Sequence, residues 1–221
     1  MVDLISIIMP VKNGHKYIKE AIDSVLSQKM NTEIIVVDDG SSDNTAEIAQ
    51  NMGCQVIRHE TSKGAVAAKN SGLKQAKGEY ILFLDHDDMM TPETLKKLYE
   101  EIVADDKLYM VMAKVKDFLS PDITDKNVSY KEEPYFGLFT GAVLMKKALF
   151  DEIGLFDENI QAGEIIDFQG KVAQKGLAVK KVDFTATMRR IHDTNFGRTA
   201  SKKEFQNYAA ILRKRLLNNT E

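Results

Sequence analysis

Two clusters of carboxylates have the spacing of a chemical site. Asp38-Asp39 ends the apolar run 33–37, and Asp85, Asp87 and Asp88 follow the apolar run 80–84. In a parallel α/β sheet the ligand crevice opens beyond the carboxyl ends of the strands, so acids at those positions gather on one edge of the sheet. Like charges at close range repel unless a cation offsets them. A hard divalent ion such as Mg²⁺ or Mn²⁺ does so, and in turn holds the phosphates of a nucleotide. Taken singly, each Asp is equally a turn former or a helix cap, and Asp43 in Ser42-Asp43-Asn44 reads as a helix start. The joint pattern, Asp85-x-Asp87 after one strand and an Asp pair after another, favours the metal and nucleotide.

The elements that must carry these acids alternate along the chain. Residues 4–11 form a β-branched apolar run ended by Pro10 and Lys12-Asn13-Gly14, which predicts a buried parallel strand and a turn. Ile18, Ala21, Ile22, Val25 and Leu26 recur at helical spacing within 16–28, and residues 33–37 supply a second strand. A helix from Ser42-Asp43-Asn44 to Met52, a strand over 55–58, an Ala-rich helix over 65–76 and a strand over 80–84 follow. Four strands with helices or turns between them imply a mainly parallel, Rossmann-like sheet flanked by helices. Beyond it, Thr91 is expected to cap a helix running to about residue 104, and residues 117–136 to form a loop or flap. A strand over 139–145, helices over 147–153 and 164–175, and a late strand over 178–182 complete the reading.

Composition sets the outer bounds. With 221 residues, 43% hydrophobic and 29% charged, the length suits one sizeable α/β unit or two small ones, and a net charge of −3 provides no field for nucleic acid. The single Cys54 excludes an internal disulfide framework and a multi-Cys zinc site, and is expected as a small buried hydrophobe in a strand. The first residues read as no signal peptide, and no run approaches the roughly 20 apolar residues of a membrane span. A cytoplasmic location is therefore expected, with any membrane association peripheral. Residues 202–217 place Phe205, Ala209, Leu212 and Leu216 on one face and Lys202, Lys203, Arg213, Lys214 and Arg215 elsewhere. They predict a basic amphipathic helix docked on the domain, or alternatively bound to a membrane surface or protein partner. The sequons at Asn127 and Asn218 matter only in a secretory context.

Three segments in order, Ile7-Ile8-Met9-Pro10-Val11-Lys12-Asn13-Gly14, Glu33-Ile34-Ile35-Val36-Val37-Asp38-Asp39-Gly40-Ser41-Ser42-Asp43 and Gly78-Glu79-Tyr80-Ile81-Leu82-Phe83-Leu84-Asp85-His86-Asp87-Asp88, resemble the successive signatures of family 2 glycosyltransferases with the GT-A fold. The match is strong over 4–100 and weaker over 141–195. It implies a GT-A domain over 1–200, with a nucleotide-sugar half at 1–100, an acceptor half at 101–200, and the basic helix over 201–221. The implied activity is an inverting transfer from a nucleoside diphosphate sugar, preferably a UDP-sugar, to a glycan or lipid-linked hydroxyl in building a surface or secreted glycan. By the resemblance, Pro10, Asn13 and Asp39 lie near the nucleoside, Asp85 at the ribose, and Asp87 with Asp88 at Mn²⁺ or Mg²⁺. Lys69-Asn70 stands where the family often has Arg-Asn, with its cation toward the donor. In Arg190-x-His192-x-x-Asn195, His192 approaches the metal or diphosphate, while Arg189, Arg190 and Arg198 help to neutralise the leaving group.

One departure bears on catalysis. An inverting transfer needs a base for the acceptor hydroxyl, and the family usually supplies it from a Glu-Asp pair opening a helix. Here that stretch is Gly163-Glu164-Ile165-Ile166-Asp167, so Ile165 replaces the expected base. Glu164 is the first substitute and Asp167 the second; the alternative is a donor-binding subunit without transferase activity. A nucleotidyltransferase would want a Gly- and Lys-rich phosphate loop, and Lys12-Asn13-Gly14 offers one Gly. The Gly137 to Ala142 stretch corresponds to the acceptor side, where Tyr135, Phe136 and Phe139 are expected mainly to pack, with stacking on a sugar as the alternative.

Overall fold

A computed structural model describes residues 2–125, 128–137, 139–160 and 163–195. In chain order the elements are β1 (Ile5–Val11), α1 (Ile18–Leu26), β2 (Thr32–Asp38), α2 (Thr45–Asn51), β3 (Gln55–Arg58), α3 (Ala65–Gln75), β4 (Tyr80–Phe83), β5 (Met89–Met90), α4 (Thr94–Val103), β6 (Leu108–Leu119), β7 (Val143–Lys146), α5 (Leu149–Ile153), α6 (Glu164–Gln174) and β8 (Ala178–Ile191). They build one eight-stranded sheet in the order β3-β2-β1-β4-β7-β6-β8-β5. β1 is buried at every position, as a strand covered on both faces must be, and it pairs in parallel with β2 and β4.

The order reverses at β1, which lies between β2 and β4, and this is where an open α/β sheet presents its crevice. The pairing of β1 with β4 stops at Ile8–Phe83 while its pairing with β2 continues to Val11–Asp38. Pro10 therefore sits in a central strand without forfeiting a ladder bond on the β4 side, because β4 has already ended there. One apolar cluster, containing Ile7, Ile22, Leu82 and Leu95, covers one face of the sheet; another, containing Ile8, Ile35, Phe83 and Phe168, covers the other. Helix α3 packs close on the second face because Gly72 has no side chain: a Cβ there would lie 2.4 Å from Ile8 Cγ2 and 3.2 Å from Val37 Cγ2.

The first four strands and three helices lie where the periodicity put them, whereas the second half differs. Residues 89–90 pair with β8, and the helix expected from Thr91 begins at Thr94. Thr91 instead donates through Oγ1 to Thr185 O at 2.6 Å, and Glu93 takes a left-handed φ of 62° to start the turn. Residues 117–119, expected in a loop, extend β6, and Tyr135 exchanges two 2.9 Å backbone hydrogen bonds with Val115. The strand expected over 139–145 is a short 3₁₀ turn at Thr140–Ala142 followed by β7. The late strand runs 14 residues rather than five, in parallel with β6 through several register shifts. Cys54 is only partly buried and precedes β3, and its burial pushes the thiol pKa up to about 11. The basic helix expected over 202–217, Arg198 and both sequon asparagines lie outside the described residues.

Candidate functional site

The turn after β1 and the turn after β2 are stitched together. Asn13 adopts a left-handed φ of 53°, its N–H donates to Ser41 Oγ at 2.8 Å, and Ser42 N–H donates back to Asn13 Oδ1 at 2.9 Å. Gly14 N–H donates to Thr45 Oγ1 at 2.8 Å, and a Cβ on Gly14 would meet Val11 and His86 at 2.4 and 2.5 Å. Asn13 thus ties the turn after β1 to the turn after β2, and the neighbouring Gly14 lies close against His86 of the 85–88 turn.

Asp39 organises the next loop. Its carboxylate accepts from His59 Nδ1 at 2.7 Å, Ser62 Oγ at 2.6 Å, Lys63 N at 2.8 Å and Gly64 N at 2.9 Å. Burial opposes ionisation, but these four donors outweigh it and hold the pKa down to about 2. All of its usual acceptor positions are filled by the 59–64 loop. His59, which the sequence reading passed over, also contacts Ser71 Oγ at 3.0 Å. Its signal was a lone imidazole between a strand end and Gly64. The adjacent Asp38 is fully buried, accepts from Ser41 N at 2.9 Å, and has the Arg58 Nε 3.4 Å from its other oxygen.

Three carboxylates crowd the turn after β4. Asp85 reaches solvent in the crevice, and its pKa is raised by the protein packed around it, with Lys69 opposing and Asp87 reinforcing. Asp88 is buried and accepts from Arg190 N at 2.9 Å; desolvation, then the charges of Asp87 and Asp85, push it well above the usual range. Asp87 is driven the other way: burial opposes its charge, but the His192 hydrogen bond, followed by the charges of His86 and His192, lowers its pKa. His192 Nε2 is 2.9 Å from Asp87 Oδ2, Asn195 Nδ2 donates to the same oxygen at 3.2 Å, and Thr194 N donates to His192 Nδ1 at 3.3 Å. The Tyr17 ring lies 4.9 Å from the His192 ring.

This donor set fits Mg²⁺ or Mn²⁺ in one particular mode. Among the described residues no three His, Cys, Asp or Glu side chains converge into a protein cage. A hard cation bound by one or two carboxylates and by substrate phosphates needs no such cage, and Asp87, Asp88 and His192 supply oxygen and imidazole ligands of the right chemistry.

The remaining expected residues divide. Lys69 is buried, and its Nζ donates to Glu164 Oε1 at 2.8 Å, linking α3 to the first turn of α6 across the mouth of the Asp85 turn. Asn70 clasps the segment before α6, accepting from Phe156 N at 3.1 Å and donating to Phe156 O and Glu158 Oε1, each at 2.9 Å. Asp167 is paired one turn further along α6, with Lys171 at 3.0 Å. Ile165 is buried in the cluster with Phe156 and Phe168. Arg190 is also buried: it donates to Asp87 O at 3.0 Å, pairs with Glu20, and has its guanidinium 4.7 Å from the rings of Tyr17 and Phe118.

The sheet order, the stitched turns and the acids after β4 define the GT-A fold class. S. aureus TarS 1-349 superposes with a TM-score of 0.69 at 27% identity, over 84% of this chain and 60% of TarS 1-349; its complex with UDP-GlcNAc superposes with a TM-score of 0.75 at 24% identity. The family described as Glycosyl transferase family 2 matches residues 6–156, and the chain belongs to that family. An uncharacterized glycosyltransferase of Rickettsia typhi, RT0329, is 33% identical over 94% of this chain and 70% of its own length. Glycosyltransferase GlyG of Streptococcus pneumoniae is 41% identical over 46% of this chain, which spans 36% of GlyG.

Proposed function

We propose that the protein transfers a sugar from a nucleoside diphosphate sugar, with UDP as the nucleotide, to a hydroxyl of a glycan or lipid-linked acceptor with inversion. The reading rests chiefly on one observation: Asp85, Asp87 and Asp88 crowd one turn at the reversal of the sheet, in a chain of this family. The UDP preference is supported by the S. aureus TarS 1-349 complex with UDP, 25% identical to this chain at a TM-score of 0.69. Residues 1–100 form the donor half, with Pro10, Asn13 and Asp39 on the nucleoside side, and 101–200 the acceptor half. No described helix is long and apolar enough to cross a membrane; we place the reaction on the cytoplasmic side, with contact to the membrane or a partner through the C-terminal segment.

A divalent ion, held by one or two of Asp87, Asp88 and His192 together with the phosphates of the donor, would neutralise charge on the departing diphosphate. The chain's own residues do the rest. Glu164 takes the proton of the acceptor hydroxyl as its oxygen attacks the anomeric carbon, and the bond from that carbon to the phosphate oxygen breaks with its electron pair leaving on the diphosphate. Arg190 acts at one remove, holding the Asp87 carbonyl and presenting Asp88 with a backbone donor. The buried Ile165 favours a second reading, a donor-binding subunit that does not turn over.

Titration calorimetry of UDP and of GDP, with and without Mn²⁺, tests the donor site without knowledge of the acceptor. Binding of one nucleotide is expected to require Mn²⁺ and to weaken at least about tenfold in Asp87→Ala, a loss of about 1.4 kcal/mol. Absence of binding by either nucleotide would overturn the reading.

A further inference from the structure

We infer that Tyr17 is a positioning residue for the metal side of the crevice: its ring sets the His192 imidazole and the Arg190 guanidinium, the two groups that fix Asp87. The inference rests on the proposed transferase reading and adds to it a residue that acts through its neighbours. Tyr17 is 8% exposed, yet it stands outside both apolar clusters of the described residues, whereas the next residue, Ile18, belongs to the first. Its ring is turned to groups of the site instead. It lies 4.9 Å from the His192 ring at an interplanar angle of 44°, and 4.7 Å from the Arg190 guanidinium.

Both neighbours bear on one turn. His192 Nε2 is 2.9 Å from the Asp87 carboxylate, Arg190 Nε donates to the Asp87 carbonyl at 3.0 Å, and Arg190 N donates to Asp88 at 2.9 Å. One aromatic ring therefore supports both the side chain and the backbone of the turn that the ion is proposed to use, and groups that orient metal ligands set the affinity for the metal. The imidazole is engaged at both nitrogens, with Nδ1 3.0 Å from Thr194 Oγ1, so a rotated ring would give up both contacts. The Arg190 side chain is 4% exposed, and attraction between a cation and a ring face strengthens where water is excluded. The Tyr17 hydroxyl contributes less: it lies 3.4 Å from both Asp122 carboxylate oxygens and 3.5 Å from Ser120 Oγ, at the outer limit of hydrogen bonding. Tyr17 N donates to Gly14 O at 3.0 Å, which anchors the residue to the turn after β1, the nucleoside side in the proposed reading.

The effect is read as a shift in Mn²⁺ dependence. In calorimetric titrations of the nucleoside diphosphate that the wild type binds, run at stepped Mn²⁺ concentrations, Tyr17→Leu should raise the Mn²⁺ needed for half-maximal affinity by about tenfold or more. At saturating Mn²⁺ its affinity should return to within about threefold of wild type, and Tyr17→Phe, which keeps the ring, should stay within about threefold throughout. A role confined to packing would instead lower the thermal midpoint and weaken binding at every Mn²⁺ concentration. If Tyr17→Leu does not fold, Tyr17→Met takes its place, filling the space without a ring face. An unchanged Mn²⁺ requirement in the variant without the ring, a loss that saturating Mn²⁺ does not restore, or an equal shift in Tyr17→Phe overturns the inference and leaves the transferase reading standing. If the wild type binds neither UDP nor GDP, or binds one without regard to Mn²⁺, the donor-site reading has failed and the inference fails with it.

Discussion

At the scale of single residues, the site separates groups that hold the protein together from groups left for a ligand. Asp39 is of the first kind. Its pKa is depressed from 3.8 to about 2, so its charge stabilises the fold above about pH 4, and that stabilisation is lost as the pH falls through about 2. The contribution is on the order of 2 kcal/mol at neutral pH. Urea unfolding of Asp39→Asn should be weaker than wild type by about that amount at pH 6, with the difference shrinking toward pH 2. Glu164, which pairs with Lys69, is the group we propose as the base: Glu164→Gln should lower turnover by about two to four orders of magnitude while the variant still binds nucleotide. Full turnover in an assay of released nucleoside diphosphate would remove Glu164 from the mechanism. Of these roles, only the placing of an acid near the crevice could be read from the sequence. That Asp39 is saturated by His59, Ser62, Lys63 and Gly64 depends on a loop closing back over 20 and more residues, and no local pattern encodes it.

At the scale of elements, the first half of the sheet was legible because local signals and tertiary environment agree. β1, β2 and β4 are short apolar runs buried on both faces, and the helices between them show a clear 3.6-residue stripe or an Ala-rich run. The second half was not, because β6 and β8 change environment along their length. β6 is apolar to Ala113 and then alternates Lys114, Lys116 and Phe118 with buried partners, while β8 begins exposed and becomes buried only near Ala186. Such strands show neither strict alternation nor a continuous apolar run. The tight seat of α3 yields a prediction at this scale. Gly72→Ala would force a Cβ against Ile8 and Val37 on two strands, and should destabilise the fold by roughly 1–3 kcal/mol in chemical denaturation, since the core there is already filled.

For the molecule as a whole, binding and stability should be linked. The donor is expected to engage turns after β1, β2 and β4 together with the end of β8, elements drawn from both halves of the sheet. A nucleotide that binds only the folded chain should therefore protect it globally, by about 2.7 kcal/mol at a hundred times its Kd in the presence of Mn²⁺. Thermal unfolding that ignores saturating nucleotide would contradict this. The burial of Ile165 has a further consequence, for what this turn of α6 can tolerate. An acid placed at that position would have to ionise inside the apolar cluster that also holds Phe156 and Phe168, where an unpaired carboxylate is driven to its neutral form. Ile165→Asp should then lower stability without returning a base. The side chain at 165 is thus committed to packing, and under the proposed reading the proton falls to the carboxylate one residue earlier, Glu164.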